Sequence, residues 1–170
     1  MKFKNSTIYT SHFDSRLGGV TLAATDKGLA GVWFDRQRHS PDMTGWQAAP
    51  DHPVLREATA QLQDYFEGRR QQFDLPLDLS HGTPFQQSVW QALLAIPAGG
   101  TTSYGALSAD VGKPAAVRAV GAAVGRNPIS VIVPCHRVLG ADGSLTGYAG
   151  GLDRKSALLE LEGHSAGARP

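Results

Sequence analysis

The apolar residues of this chain change their period near residue 80, and that change restricts the fold more than any other feature. Before it, Thr7–Phe13, Val20–Thr25 and Leu29–Phe34 are short apolar runs separated by Gly18-Gly19 and Asp26-Lys27-Gly28. This is the pattern of consecutive strands joined by tight turns. Asp26-Lys27-Gly28 suits a hairpin, because glycine tolerates the positive φ such turns need. Arg36–Asp51 is polar with two prolines and reads as a loop. Leu55, Ala58, Leu62, Tyr65 and Phe66 fall at helical spacing across Pro53–Glu67, and Gly68 stops that helix. Phe73–Leu79 alternates apolar and polar, and Pro76 makes it an edge strand or an extended linker.

Ser80-His81-Gly82 marks the boundary between a domain 1–80 and a domain 81–170. Beyond it the spacing is helical. Thr83 caps and Pro84 opens a helix through Ile96, with Phe85, Val89, Leu93 and Ile96 on one face. Ser103 caps a short helix, Tyr104–Val111, Gly112-Lys113 turns the chain, and Pro114 opens the helix Ala115–Val124. Two short helices across a glycine-containing turn fit a helix-turn-helix. An apolar run, Ile129–Val133, leads to Pro134-Cys135-His136-Arg137. A last helix, Asp153–Glu162, ends at Gly163, and the tail Ser165–Pro170 is expected to fray.

Composition closes off several function classes. With 41% hydrophobic and 18% charged residues the chain is neither disordered nor fibrous. No stretch approaches the ~18 consecutive apolar residues of a membrane span. The N-terminus lacks the apolar core of a signal peptide, so the expected location is the cytoplasm. One cysteine, Cys135, allows no internal disulfide and no cysteine-rich zinc site, and the histidines of the first half are scattered; no metal is expected. The thiol matters, if at all, through its reactivity. Lys113, Arg118, Arg126 and Arg137 lie between Val111 and Ala141, a stretch with no acidic residue. That positive stripe, in a chain of net charge +1, is either a solvated face or a surface for an anionic partner.

The helix Ala115–Val124 carries small residues and one charge, Arg118. Small residues admit close approach, either of another protein segment or of DNA, for which Arg118 would be a single probe able to fill the space of an extruded base. Cys135 precedes His136. Neighbours on an extended chain point in opposite directions, so the imidazole can serve the thiol only if the chain turns or through a water. Glu160 and Glu162 are the candidates to orient it.

Pro134-Cys135-His136-Arg137-Val138 closely resembles the active-site signature of the O6-alkylguanine-DNA alkyltransferases. Phe85–Trp90, Ile96-Pro97, Thr102–Gly105, Arg118–Gly121, Asn127-Pro128 and Gly147–Leu152 fit the same family in order. The resemblance is dense from Thr83 to Glu162; residues 1–80 fit by length and strand–helix order. It implies an α+β fold: a small N-terminal sheet-plus-helix domain, and a mainly helical, winged-helix-like C-terminal domain whose second helix enters the minor groove of double-stranded DNA.

The implied chemistry is irreversible, stoichiometric transfer of an alkyl group from O6-alkylguanine, and from O4-alkylthymine, to Cys135 after base flipping. His136 resembles the water-mediated base, Glu162 the carboxylate that orients it, Asn127 the brace of the active-site turn, and Tyr104 the proton donor to the departing base. Arg118 matches the family's arginine finger. Ala115, Ala119, Lys113, Arg126 and Tyr104 fall on the implied DNA surface. Tyr148, Ala149, Val138, Val124 and Ser130 fall at the implied substrate pocket. Ala149 stands where some relatives have serine, which removes a hydroxyl but keeps the N–H. No cofactor is expected, and the chain is expected to be a monomer, with cooperativity on DNA left open. Two alternatives share some of these features: a DNA-binding regulator or lesion-flagging protein without transfer, and a cysteine hydrolase, which would need an oxyanion hole that no motif demands.

Overall fold

The computed structural model describes Phe3 and residues 6–164; the tail Ser165–Pro170, expected to fray, lies outside them. The chain divides into two compact units, one of residues 1–81 with 128–130 and one of 82–127 with 131–170. Among the described residues no helix is long and apolar enough to cross a membrane.

In the first unit, β1 (Tyr9–Ser15), β2 (Gly18–Thr25) and β3 (Gly28–Phe34) form an antiparallel meander. The segment read as a loop contains one further strand, β4 (Gln47–Ala48), which runs parallel to Tyr9 and Thr10. Two residues of edge strand are too few to carry a period, so only the ladder reveals them. The sheet order is β3-β2-β1-β4.

β3 is an edge strand, yet all seven of its residues are buried. Its outer edge is covered twice. Leu29 N–H donates to the Pro76 carbonyl and the Leu29 carbonyl accepts from Asp78 N–H, both at 2.8 Å. Val32 N–H donates to the Pro128 carbonyl at 2.8 Å, and its own carbonyl accepts from Ser130 N–H at 3.1 Å. An edge covered in this way offers no row of free groups to another chain. It also explains why residues 128–130, which a division at residue 80 assigns to the other half, are counted in this unit. The sheet is roofed by α1 (Pro53–Phe66), which buries Leu55, Ala58, Leu62, Tyr65 and Phe66. Each of the larger side chains stabilises the unit by about 1.5–3 kcal/mol relative to exposure.

The second unit begins with α2 (Pro84–Leu94), started by a capping box in which Thr83 and Gln86 satisfy each other's backbone N–H groups. Its inward residues are Val89, Trp90 and Leu93. Trp90, and not Phe85 as the spacing suggests, fills the core. The Trp90 indole N–H donates to the Ala123 carbonyl at 2.9 Å, and a Cβ at Gly82 would lie 2.3 Å from the ring. The strand β5 (Thr102–Ser103) leads into α3 (Tyr104–Asp110), which Ser103 caps. Gly112, at φ 75°, closes α3, and Lys113 N–H returns to the Ser108 carbonyl at 2.9 Å, a left-handed helix end.

The next helix starts later than Pro114 suggests. Pro114 lies in a turn closed by Ala116 N–H on the Lys113 carbonyl at 2.9 Å, and α4 spans Val117–Gly125. Ala115 therefore precedes the helix. Pro114 supplies the fixed φ of a turn's second position instead of that of a first helical residue. α2, α3 and α4 pack on one another. The last strand, β6 (Val138–Leu139), pairs parallel with β5, and α5 (Leu152–Leu161) ends at Glu162 and Gly163.

Candidate active site

Cys135 opens a 3-10 turn, Cys135–Arg137, entered through Pro134 at φ −84°, ψ 64°. Those angles make an inverse γ-turn, closed by Cys135 N–H on the Val133 carbonyl at 2.8 Å. Asn127 Nδ2 donates to the same carbonyl at 2.8 Å, and the asparagine side chain also hydrogen-bonds the thiol. One residue thus holds both the turn before Cys135 and the sulfur itself. Upstream, the buried, β-branched Val131 holds φ 73°. Such a conformation costs on the order of 1–3 kcal/mol and persists only where the surroundings impose it.

The thiol is only 6% exposed. Burial pushes its pKa above the usual range, opposed by the Asn127 hydrogen bond and the positive charge of Lys155. The resting group is therefore a thiol, and a reaction at sulfur needs somewhere for its proton to go.

The next residue, His136, has an atom of the right kind. It is fully buried, and its Nε2 shares a 2.8 Å hydrogen bond with Glu162 Oε2. Arg137 holds the same carboxylate with two prongs, Nε to Oε1 and Nη2 to Oε2, each at 2.8 Å, while its Nη1 donates to the Ile96 carbonyl at 2.5 Å. Paired in this way, Glu162 is ionised and accepts only. Nε2 therefore carries the imidazole proton, and Nδ1 is left as an acceptor. Nδ1 is buried and has no protein partner. Burial holds the His136 pKa below the ordinary histidine value, against the raising effect of Glu162, which keeps the ring neutral.

Arg137 thereby drops out of the positive stripe: it is a buried structural cation. Lys113, Arg118 and Arg126 stay exposed around α4, together with Ala115 and Ala119. Arg118 and Ala119 lie in the first turn of α4, whose inward residues are Val120, Ala123 and Val124. Half-buried Gly121 faces the ring of Tyr104, where an added Cβ would sit 3.7 Å away, an ordinary van der Waals contact. The exposed alanines leave a smooth surface on the outer face.

Tyr104, half-buried, shares a side-chain hydrogen bond with Thr146, and burial raises its pKa, with the nearby Cys135 adding to the shift. It keeps its proton throughout the neutral range. Val138 and Tyr148 are buried and Ala149 is partly so. Ser130, expected at the pocket, is counted in the first unit through its N–H on Val32.

The sequence reading passes over two residues of this cluster, Arg137 as an internal ion-pair partner and Lys155. Lys155 is fully buried, and its Nζ donates to the carbonyls of Val138 and Thr146, each at 2.6 Å, and of Gly147 at 3.3 Å. A signal existed: Lys155, Leu158, Leu159 and Glu162 fall at i, i+3, i+4 and i+7, so the lysine shares the inward face of α5.

Fold and site together define a two-unit α+β protein with a buried cysteine, followed by a buried histidine–carboxylate pair, in the unit that holds the helix-turn-helix. Residues 84–164 match the 6-O-methylguanine DNA methyltransferase, DNA binding domain, and residues 8–79 match the 6-O-methylguanine DNA methyltransferase, ribonuclease-like domain. A methylated-DNA–protein-cysteine methyltransferase of Mycobacterium bovis is 50% identical over 155 residues, covering 91% of this chain and 92% of that protein. One of Methanosarcina acetivorans is 46% identical, covering 92% and 99%. The crystal structure of Mycobacterium tuberculosis OGT in complex with DNA superposes with a TM-score of 0.83 at 49% identity, covering 91% of this chain and 92% of that one. The chain belongs to the 6-O-methylguanine DNA methyltransferase family.

Proposed function

We propose that this protein repairs duplex DNA directly, by moving the alkyl group of O6-alkylguanine, and of O4-alkylthymine, irreversibly onto Cys135. The observation that carries the reading is the buried Cys135 thiol, hydrogen-bonded by Asn127 and followed by a histidine whose only free ring atom is an acceptor.

The exposed face of α4 enters the minor groove. Ala115 and Ala119 allow close approach, Lys113 and Arg126 meet phosphates, and Arg118 fills the gap left by the flipped nucleotide. Unstacking costs a few kcal/mol, least for a badly paired damaged base. The base enters beside Tyr148 and Val124. The carbonyls of Cys135 and Val138 accept from its exocyclic amine, and Ala149 N–H faces O6.

Sulfur then attacks the alkyl carbon in line. The S–C bond forms as the C–O6 bond breaks, and the bonding pair leaves with the base. The thiol proton passes through a water to His136 Nδ1, and the Tyr104 hydroxyl donates to a ring nitrogen of the leaving base. Over the whole event one proton moves from sulfur to the base, and histidine and tyrosine end as they began. The balance needs no cofactor. A thioether is not hydrolysed, so each chain acts once. The protein works as a monomer in the cytoplasm.

Intact mass after incubation with excess duplex containing one O6-methylguanine tests this. The expected result is a gain of one methyl group, mapped to Cys135 and stopping at one per chain. DNA held without a mass gain would replace transfer by lesion-flagging.

A further inference from the structure

Lys155 has no role in the chemistry just described, yet it is the most unusual charge in the molecule. Its ammonium is buried, and its three donors are all taken by main-chain carbonyls. Among the described residues it has no carboxylate partner: the nearest on its own face, Glu162, is occupied by Arg137 and His136. A buried cation normally needs an anion, because carbonyl dipoles repay only part of its lost hydration.

The groups that Lys155 joins are those of the site. Val138 lies three residues past the nucleophile and pairs with Thr102 of β5, just before Tyr104. Thr146 bonds Tyr104 through its side chain, and Gly147 precedes Tyr148 and Ala149. The titratable groups whose charges act on Lys155, or on which its charge acts, are Cys135 and His136 of the nucleophile turn. Behind His136, Arg137 and Glu162 neutralise one another. Of the two groups of the nucleophile turn that act on Lys155, the sulfur is the one that can become an anion and so complete the pair.

We propose that Lys155 is a positioning residue of the alkyl-acceptor site, its ammonium clamping the chain after the nucleophile to the pocket loop and serving as counter-ion to the Cys135 thiolate; this rests on the alkyl-transfer reading above. The thiolate forms by loss of the thiol proton to His136, and the ammonium keeps all its own protons. Burial brings the lysine pKa down to about 8, and the sulfur's charge works to raise it again. The two charges thus support each other, and the thiolate survives in a cavity that otherwise disfavours it.

The first test needs no DNA. Lysine signals are titrated by NMR in the wild-type chain and in Cys135→Ser, which keeps the shape and removes the charge. Lys155 is expected to titrate at lower pH in Cys135→Ser; equal midpoints overturn the coupling. The second test follows alkylation of Cys135 by iodoacetamide against pH in Lys155→Met and Lys155→Arg. Lys155→Met is expected to move the midpoint up by about one pH unit, a tenfold loss of thiolate at fixed pH. Lys155→Arg, which keeps the charge, is expected to stay near wild type. A folded Lys155→Met with the wild-type profile overturns the proposal, and if that variant does not fold, the titration of wild type against Cys135→Ser decides alone. Wild-type chain that shows the coupling but takes no methyl group from DNA sinks the alkyl-transfer reading and leaves the ion pair standing.

Discussion

The helices α4 and α5 have nearly the same length, nine and ten residues, and use charge in opposite ways. α4 carries a single charge, Arg118, and turns it outward beside Ala119 and the 40%-exposed Val117. α5 turns Lys155 inward, and the residue that closes it, Glu162, is buried as well. An outward charge on a smooth face contributes almost nothing to folding and is free to meet a partner. An inward charge is a liability unless every bond it can make is made. α5 meets that condition: three carbonyls for Lys155, and Arg137 with His136 for Glu162. The contrast teaches where to look in each helix, to the solvent side of α4 for recognition and to the core side of α5 for chemistry.

The contrast can be broken most severely at Glu162. Glu162→Ala leaves Arg137 buried without its anion and His136 without its orienting partner. Removing one member of a buried pair costs about 3–5 kcal/mol. Urea denaturation is expected to show a loss of that size, and methyl transfer should fall with it in whatever fraction stays folded. A loss below about 1 kcal/mol, the range of an exposed pair, would mean that the α5 cluster is wet.

Arg118→Ala probes the other helix. Denaturation should shift by no more than about 0.5 kcal/mol, as for an exposed site. Transfer from duplex DNA should fall by about ten- to a hundredfold, the worth of a few kcal/mol of unstacking left uncompensated. Reaction with free O6-benzylguanine, which needs no flipping, should hold. Equal losses in both assays would remove the finger role from Arg118.

That difference between the helices also explains what could be read from the sequence. The lone charge of α4 was legible because it is local, one arginine among alanines, glycines and valines, while the choice between a packed and an open face for it took the structure, which leaves Arg118 exposed. The strands of the meander and the cap at Thr83 were legible for the same reason, since period and capping are properties of neighbours. The cover on β3 was not, because it joins residues 29–32 to 76–78 and 128–130, and no window spans them. The start of α4 was misread because proline opens helices and turns alike. Lys155 escaped because lysine is almost always exposed, a strong expectation that only contacts from Val138, Thr146 and Gly147 overturn.

A smaller effect sharpens the account of α5 through pH. His136 is buried and its pKa lies below the ordinary value, so between that value and its own the unfolded chain binds the proton and the folded chain does not. Stability therefore falls as pH drops below about 6.5, with a slope that one group limits to about 1.4 kcal/mol per pH unit. Above that range neither state binds the proton and the contribution disappears. Denaturation midpoints between pH 7.5 and 5.5 measure this, and His136→Gln should flatten the slope. An unchanged slope in that variant assigns the acid sensitivity elsewhere.

The smallest expected effect separates the two helices most cleanly, because salt sees only charges that meet phosphate. Lys113 and Arg126 flank α4 and are exposed. If each neutralises one phosphate, each contributes about 0.9 to the slope of log affinity against log salt. Lys113→Ala and Arg126→Ala should each reduce that slope by about one and weaken binding to all sequences alike. Lys155→Arg, which retains its charge inside the protein, should leave the slope unchanged, because a buried ammonium displaces no counterion from DNA. Anisotropy titrations of a labelled duplex between 50 and 200 mM salt, about the range over which such slopes are read, give all three numbers. If the slope ignores both exposed cations, the smooth face of α4 is not the face that meets DNA, and the arginine upon it must be read as solvated.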